Sequence, residues 1–390
     1  MRKFKFLPLL VLLIISSCDF ENKSNQGSTF SSNLRQTFTQ PFEIDSLSSF
    51  ELFFFDIGNV DGEEYLWNVN VNNHSVDAYH LDSGKVIHRF AIPQDGPYAI
   101  NNIQGIYFHN PDSIFLFPRM MLSNLALTDA DGNFFDSFRV KIDVEDQTDM
   151  MINHASVPAA PTLLIEDNLY FTHISLGSAM TNFNFFDQIS PEFRVNLQTD
   201  SLFWDTGLTF PKSYLENYWP NSFILHSKVE NKNNELVYSW NAIDSLFVMD
   251  LETGGMEKKL AKSQWIKPFD FTSEPITKEN DRKIPVTYGH YFRLIFDPYR
   301  ELYYRFVWIP RDPIPQELFS ANSIYKNKFS IMVLDEDLEL LEEKVLEPEI
   351  YQPYLAFVGK KGLYLPRTNV FNPEISENEI KMDVFVFKRD

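Results

Sequence analysis

Val76-Asp77-Ala78-Tyr79-His80-Leu81-Asp82-Ser83-Gly84-Lys85-Val86-Ile87-His88-Arg89-Phe90-Ala91-Ile92 is the stretch that decides the fold. Two β-type runs, 76–81 and 85–92, flank Asp82-Ser83-Gly84. Glycine supplies left-handed backbone, and aspartate accepts hydrogen bonds from the amides that follow it, so the three residues reverse the chain. Working outward, β-type runs at 50–56 and 65–69 precede this hairpin and complete a unit of four short strands.

The unit recurs. Runs at 105–109, 114–117, 125–128 and 134–140 repeat it around Asp129-Ala130-Asp131-Gly132-Asn133. A third set lies at 162–165, 169–174, 193–197 and 202–208. A fourth lies at 223–229, 236–240, 246–251 and 256–261, hinged on Thr253-Gly254-Gly255, and a fifth at 291–296, 302–309, 329–334 and 338–345. The sixth, at 354–358, 363–366 and 382–387, ends one strand short. The second strands begin near Leu66, Ile114, Leu169, Leu236, Leu302 and Leu363, about 48–67 residues apart. Four strands in fixed order at such a period predict an all-β chain folded as a six-bladed β-propeller. Each unit alone exposes both faces of its sheet, and stacking round a circle covers them. A stray β-type run at 34–44 supplies the missing strand, so the N-terminal strand completes the last blade and protects its edge. Residues 34–390 then form a single propeller domain, with 264–290 a Pro/Lys/Asp-rich loop. A pair of β-sandwiches is the structural alternative.

The N-terminus specifies location. Arg2, Lys3 and Lys5 precede an apolar run, 7–15, too short to span a bilayer. Ile15-Ser16-Ser17-Cys18 follows, and Cys18 is the one cysteine of 390 residues. This pattern resembles the lipobox of bacterial lipoproteins, which implies a signal peptide over 1–17, acylation of Cys18 and a flexible acylated tether over 18–33. Several acyl chains make a stable anchor. The alternative is an ordinary secretory signal with an accidental cysteine. Cys18-Asp19-Phe20-Glu21 is similar to the acidic signals that send Bacteroidota lipoproteins to the cell surface. The expected location is the cell envelope, lipid-anchored to the outer membrane. The formal net charge of −20 grows about three units more negative once the leader is removed. That balance excludes nucleic acid as a partner and electrostatic docking on anionic lipid.

Phe296-Asp297-Pro298-Tyr299-Arg300-Glu301-Leu302-Tyr303-Tyr304-Arg305 resembles a Bacteroidota lipoprotein family catalogued as a domain of unknown function, with a TolB-like or NHL-like six-bladed propeller layout. The family carries no established catalytic residues, so the resemblance implies none here. Read for itself, Asp297-Pro298-Tyr299-Arg300 is turn chemistry, and Arg305 within an apolar strand is expected to pair with a carboxylate such as Asp297.

Candidate chemistry is sparse. The eight histidines show no metal spacing. Tyr107, His109, His226 and Arg293 fall on expected innermost strands and are candidates to line a central channel. The plainer reading has them bonding neighbouring blades. Trp219 and Trp265 fall in expected loops and are candidates for surface binding, whereas Trp67, Trp240 and Trp308 belong to the core. Asp129-Ala130-Asp131-Gly132-Asn133 echoes a calcium loop but has Val140 where the loop's glutamate belongs, which favours turn chemistry. Asp143, Glu145, Asp146 and Asp149 form an acidic loop that could hold calcium or simply be solvated. Four Asp-Ser-aliphatic triplets, at 45–47, 112–114, 200–202 and 244–246, resemble Bacteroidota O-glycosylation sites, or are turns that open strands. No catalytic residue, metal site or cofactor is assigned, calcium being the one cofactor left open. The sequence points to a non-enzymatic envelope module that binds a protein or glycan. A calcium-dependent hydrolase or lyase of the six-bladed lactonase type, or a structural subunit of an outer-membrane assembly, are the rivals.

Overall fold

A computed structural model describes residues 32–100, 102–119, 121–141, 152–175, 178–269, 273–311 and 323–389. Cys18, the acidic residues after it, nearly all of the tether and the loop of Asp143, Glu145, Asp146 and Asp149 lie outside the described residues. Residues 33–390 form one compact unit.

The first strand, β1 (Leu34–Glu43), belongs to the final blade. Blade one follows with β2 (Phe55–Val60), β3 (Glu63–Asn70), β4 (Ser75–His80) and β5 (Lys85–Ala91). Blade two holds β6 (Ile103–Asn110), β7 (Ser113–Pro118), β8 (Asn124–Thr128) and β9 (Phe134–Arg139). Blade three has β10 (His154–Ala155) and β11 (Leu163–Ile165), both paired with β12 (Asn168–His173), then β13 (Glu192–Asn196) and β14 (Ser201–Phe203). Blade four comprises β15 (His226–Glu230), β16 (Glu235–Trp240), β17 (Ser245–Asp250) and β18 (Met256–Leu260). Blade five comprises β19 (His290–Asp297), β20 (Leu302–Trp308), β21 (Phe329–Leu334) and β22 (Leu340–Leu346). Blade six holds β23 (Phe357–Gly359), β24 (Gly362–Pro366) and β25 (Glu379–Phe387), and β1 pairs antiparallel with β25 from Leu34↔Phe387 to Glu43↔Glu379. Six sheets thus stand in a ring, as the repeat and the 34–44 run require.

Burial explains the strand chemistry. All seven residues of β20 and all six of β21 are buried, because both faces of a blade's middle strands meet neighbouring blades. All five residues of β18, a blade's outer strand, are exposed, which its sequence Met256-Glu257-Lys258-Lys259-Leu260 suits. Six apolar clusters fill the six gaps between blades. The cluster of Phe42, Phe55, Leu66, Phe357 and Met382 joins blade six to blade one and closes the ring.

Three sequence expectations are corrected. The 264–290 loop contains a helix, α2 (Lys278–Tyr288), after the short helix α1 (Phe185–Gln188) of blade three. The Thr277 side chain caps α2 by accepting the Asn280 amide at 3.2 Å, acids occupy its first turn, and Gly289 at φ +75° ends it. Pro285 within it hides this pattern. The innermost strand of blade one begins at Phe55 rather than residue 50, and in blade four 221–223 is a 3₁₀ turn before β15. Arg305 does not pair with Asp297. Its guanidinium donates to Ser239 Oγ at 2.9 Å, to the carbonyls of Asp244, Ala261 and Ile243 at 3.1, 2.6 and 2.6 Å, and covers the Tyr291 ring at 3.3 Å. Asp297 instead holds Arg300 at 3.0 Å and accepts the Tyr299 and Arg300 amides in the turn.

The short motifs resolve into turn geometry. Asp129 accepts the Asp131 and Asn133 amides and the Asn133 side chain, with Gly132 at φ +84°. Those hydrogen bonds hold its carboxyl below the usual range, though burial acts the other way. Of the Asp-Ser-aliphatic triplets, those at 112–114, 200–202 and 244–246 open β7, β14 and β17.

Candidate ligand channel at the propeller axis

The innermost strands leave a cavity of about 660 Å³ along the axis. Every blade contributes: β2 and β6, the 156–163 segment that leads into β11, then β15, β19 and β23. Apolar and aromatic side chains make up most of its wall, the rings being those of Phe55, Tyr107, Phe108, Phe296, Tyr299 and Phe357. The charged residues Asp56, Lys228, Glu230, Lys232 and Arg293 interrupt them. Such a wall, largely apolar with a few polar groups, is the composition of a small-ligand site.

The charged groups differ in how they are held. Asp56, half-buried on β2, accepts the Phe108 amide of blade two at 2.8 Å and its neighbour Ile57's amide at 2.8 Å, stapling two blades together. Burial outweighs those bonds and pushes its carboxyl up to about 7. Glu230 is also raised by burial. The Tyr107 hydroxyl is pushed up by burial and by both carboxylates. Arg293 is 4% exposed and is lowered to about 9 by burial.

Deeper in the wall, Lys228 of β15 and Glu192 of β13 form an ion pair with both side chains fully buried. Lys228 also donates to the Tyr170 carbonyl at 3.0 Å, and the Tyr238 hydroxyl donates to Glu192 at 3.1 Å. Burial drives the lysine down while Glu192 holds it up. Nothing in the sequence signals this pair or Asp56, because the partners lie 36 and 52 residues apart. A lysine in a β-run on an expected innermost strand is the one available hint.

The four channel candidates separate. Tyr107 and Arg293 line the cavity. His109 is exposed near the end of β6, away from it. His226, 3% exposed, faces a second cavity of about 400 Å³ between blades three and four. Burial and Lys228 lower it to about 3. Of the loop tryptophans, Trp265 is 39% exposed, but Trp219 is 1% exposed and is no surface candidate. Its indole stacks on Tyr214 at 4.3 Å and donates to the Tyr214 carbonyl at 3.1 Å, so the 212–223 loop folds over its own aromatics. Among the described residues, no three His, Cys, Asp or Glu side chains converge closely enough to hold a metal ion.

The model for the domain of unknown function DUF4221 matches residues 22–345. The chain belongs to this family. A DUF4221 member from Bacteroides vulgatus superposes with a TM-score of 0.78 at 20% identity, over 92% of this chain and 98% of that one. A candidate exported protein from Bacteroides fragilis superposes at 0.56 with 11% identity, over 92% and 96%. Both likenesses support the propeller fold. A search of the curated proteins gives no match.

Proposed function

We propose that this DUF4221 chain is a lipid-anchored binding module of the cell envelope. Acylated Cys18 tethers it to the outer membrane, and the acidic residues after Cys18 favour the cell surface. The axial channel and its rim take a glycan or a protein segment. One observation carries the binding role: a cavity of about 660 Å³ lined by all six blades, with aromatic rings from blades one, two, five and six. Exposed Trp265 offers a second contact outside it. The leader and the lone cysteine support the anchor, as does the description of the Bacteroides fragilis relative as exported.

A glycan array and a pull-down from envelope extract test the ligand. Retention of a glycan or envelope protein, weakened by Tyr107→Phe or Trp265→Ala, is the expected result, and silence in both assays rejects the module. For the anchor, palmitate should label the wild type and not Cys18→Ala. Equal labelling rejects it.

Asp56 favours a second reading, acid–base hydrolysis or elimination in the same channel. A carboxyl near 7 beside Tyr107 is poised for proton transfer. Its oxygens already face two backbone amides, which is why the binding reading ranks first.

A further inference from the structure

β19 breaks its own alternation where it meets the channel. Its register with β20 slips between Tyr291 and Arg293, leaving Phe292 as the extra residue of a bulge. Bulges re-aim side chains, and here two consecutive residues reach the same segment of blade six. Phe292 packs on Tyr354 at 4.7 Å and on Trp308 at 4.9 Å, while Arg293 donates to the Tyr354 carbonyl.

Arg293 is held unlike the other arginines set into the blades. Arg89 pairs with Asp77, Arg194 with Asp205, Arg300 with Asp297 and Arg367 with Asp383, and Arg305 sits in its cage of carbonyls. Arg293 is 4% exposed, its Nε has no hydrogen-bond partner, and among the described residues no carboxylate lies within 4 Å of it. A buried cation without a counter-charge is costly. Arg293 nevertheless lines the axial cavity, with apolar rings of Phe55, Phe296 and Phe357 on the same wall.

We propose that Arg293 is an anion subsite of the axial channel, and that the ligand there is an amphipathic molecule whose carboxylate, sulfate or phosphate group docks on this guanidinium. Building on the binding role proposed above, this names the ligand's chemistry. The planar fork of arginine matches such groups with two parallel hydrogen bonds, and the aromatic wall takes the rest of the molecule. A chain this acidic repels free anions at long range, so recognition depends on the local cation and weakens with salt.

Benzoate, phenyl sulfate and phenyl phosphate, with neutral benzamide as control, test this by calorimetric titration of the purified chain. At least one anion should bind ten times more tightly than benzamide, and Arg293→Met should remove that preference. Which anion binds best distinguishes a carboxylate from an ester of sulfate or phosphate. Benzamide binding as well as the anions, an anion preference that survives Arg293→Met, or silence from all three anions overturns the subsite. The unliganded Arg293→Met protein should keep the wild-type Tm or exceed it, since it loses an uncompensated charge. A fall of several degrees would mark Arg293 as a prop for Tyr354 and also overturn the subsite. The two proposals fail separately. Neutral glycans bound by a protein blind to all three anions keep the module and remove the subsite. Arg293-dependent anion binding by a protein that retains no glycan or envelope protein does the reverse.

Discussion

Arg305 and Arg293 sit on neighbouring strands of one blade, both almost wholly buried, and they are treated in opposite ways. Arg305 lies in the gap between blades four and five, where three carbonyls, a hydroxyl and an aromatic ring take up its donors. Arg293 lies on the axial channel with one protein acceptor. The gap takes up its arginine's charge completely, whereas the channel leaves Arg293 Nε without a partner. Stability should therefore respond strongly to changes in the gaps and weakly to changes on the axis.

The largest effect expected is in the gap between blades three and four. Glu192→Ala leaves Lys228 buried with only the Tyr170 carbonyl, and breaking a buried pair from one side costs about 3–5 kcal/mol. Urea unfolding should show it, and the double substitution Glu192→Leu with Lys228→Met should recover most of the loss. A single substitution costing under about 1 kcal/mol would mean that water reaches the pair and that this gap is not sealed.

Arg305→Met comes next. It orphans three carbonyls and the Ser239 hydroxyl, at about 1–3 kcal/mol for each group that water cannot reach. A loss of roughly 2–4 kcal/mol is expected, the lower end applying if the Met side chain packs well. Against the near-zero change expected of Arg293→Met, this is the direct form of the comparison. Equal losses from the two arginines would erase the distinction between gap and axis.

Ring closure gives a smaller effect. Gly84, at φ +68°, turns the hairpin of blade one, and a Cβ there would stand 1.9 Å from the Pro41 carbonyl oxygen of β1. Gly84→Ala combines left-handed strain with that collision, so blade six's outer strand must shift away. A loss of about 1–3 kcal/mol is expected, together with faster hydrogen exchange of the Glu43 amide, which bonds the Gly84 carbonyl at 2.8 Å. Unchanged exchange there would show that β1 does not depend on this contact.

What the sequence discloses follows the same division. Turn chemistry is local, so Asp82-Ser83-Gly84, Asp129 to Asn133 and Asp297 to Arg300 announce their hairpins. The pairing of β1 with β25 spans nearly the whole chain and was still legible, because a spare strand and a missing strand leave one solution. Trp219 and His226 were not legible, since exposure depends on how a loop packs rather than on its composition. Arg305 misled because a charge in an apolar strand suggests a carboxylate, and backbone carbonyls, which leave no mark in sequence, took that role. Asp56 and Arg293 acquire their character from the ring itself, which gathers one strand from each blade around a common cavity.

Asp56 provides the finest test, because it belongs to both regions: it staples blade one to blade two and it faces the channel. Its folded-state carboxyl sits at about 7, above the ordinary aspartate value of 3.8. A raised value means the folded protein holds this proton more tightly than the unfolded chain does. The associated stability is fully present below about pH 4 and is lost as pH rises through about 7. Asn at this position cannot ionise, although it accepts only one of the two amides and so carries a constant penalty. The stability difference between wild type and Asp56→Asn should therefore move in favour of the variant from pH 4 to pH 8, by about 1.4 kcal/mol for each pH unit by which folding raises the carboxyl. A pH-independent difference would mean that the two amide bonds hold the carboxylate ionised throughout. Asp56 would then be a staple alone, and the acid–base reading of the channel would lose the observation that favours it.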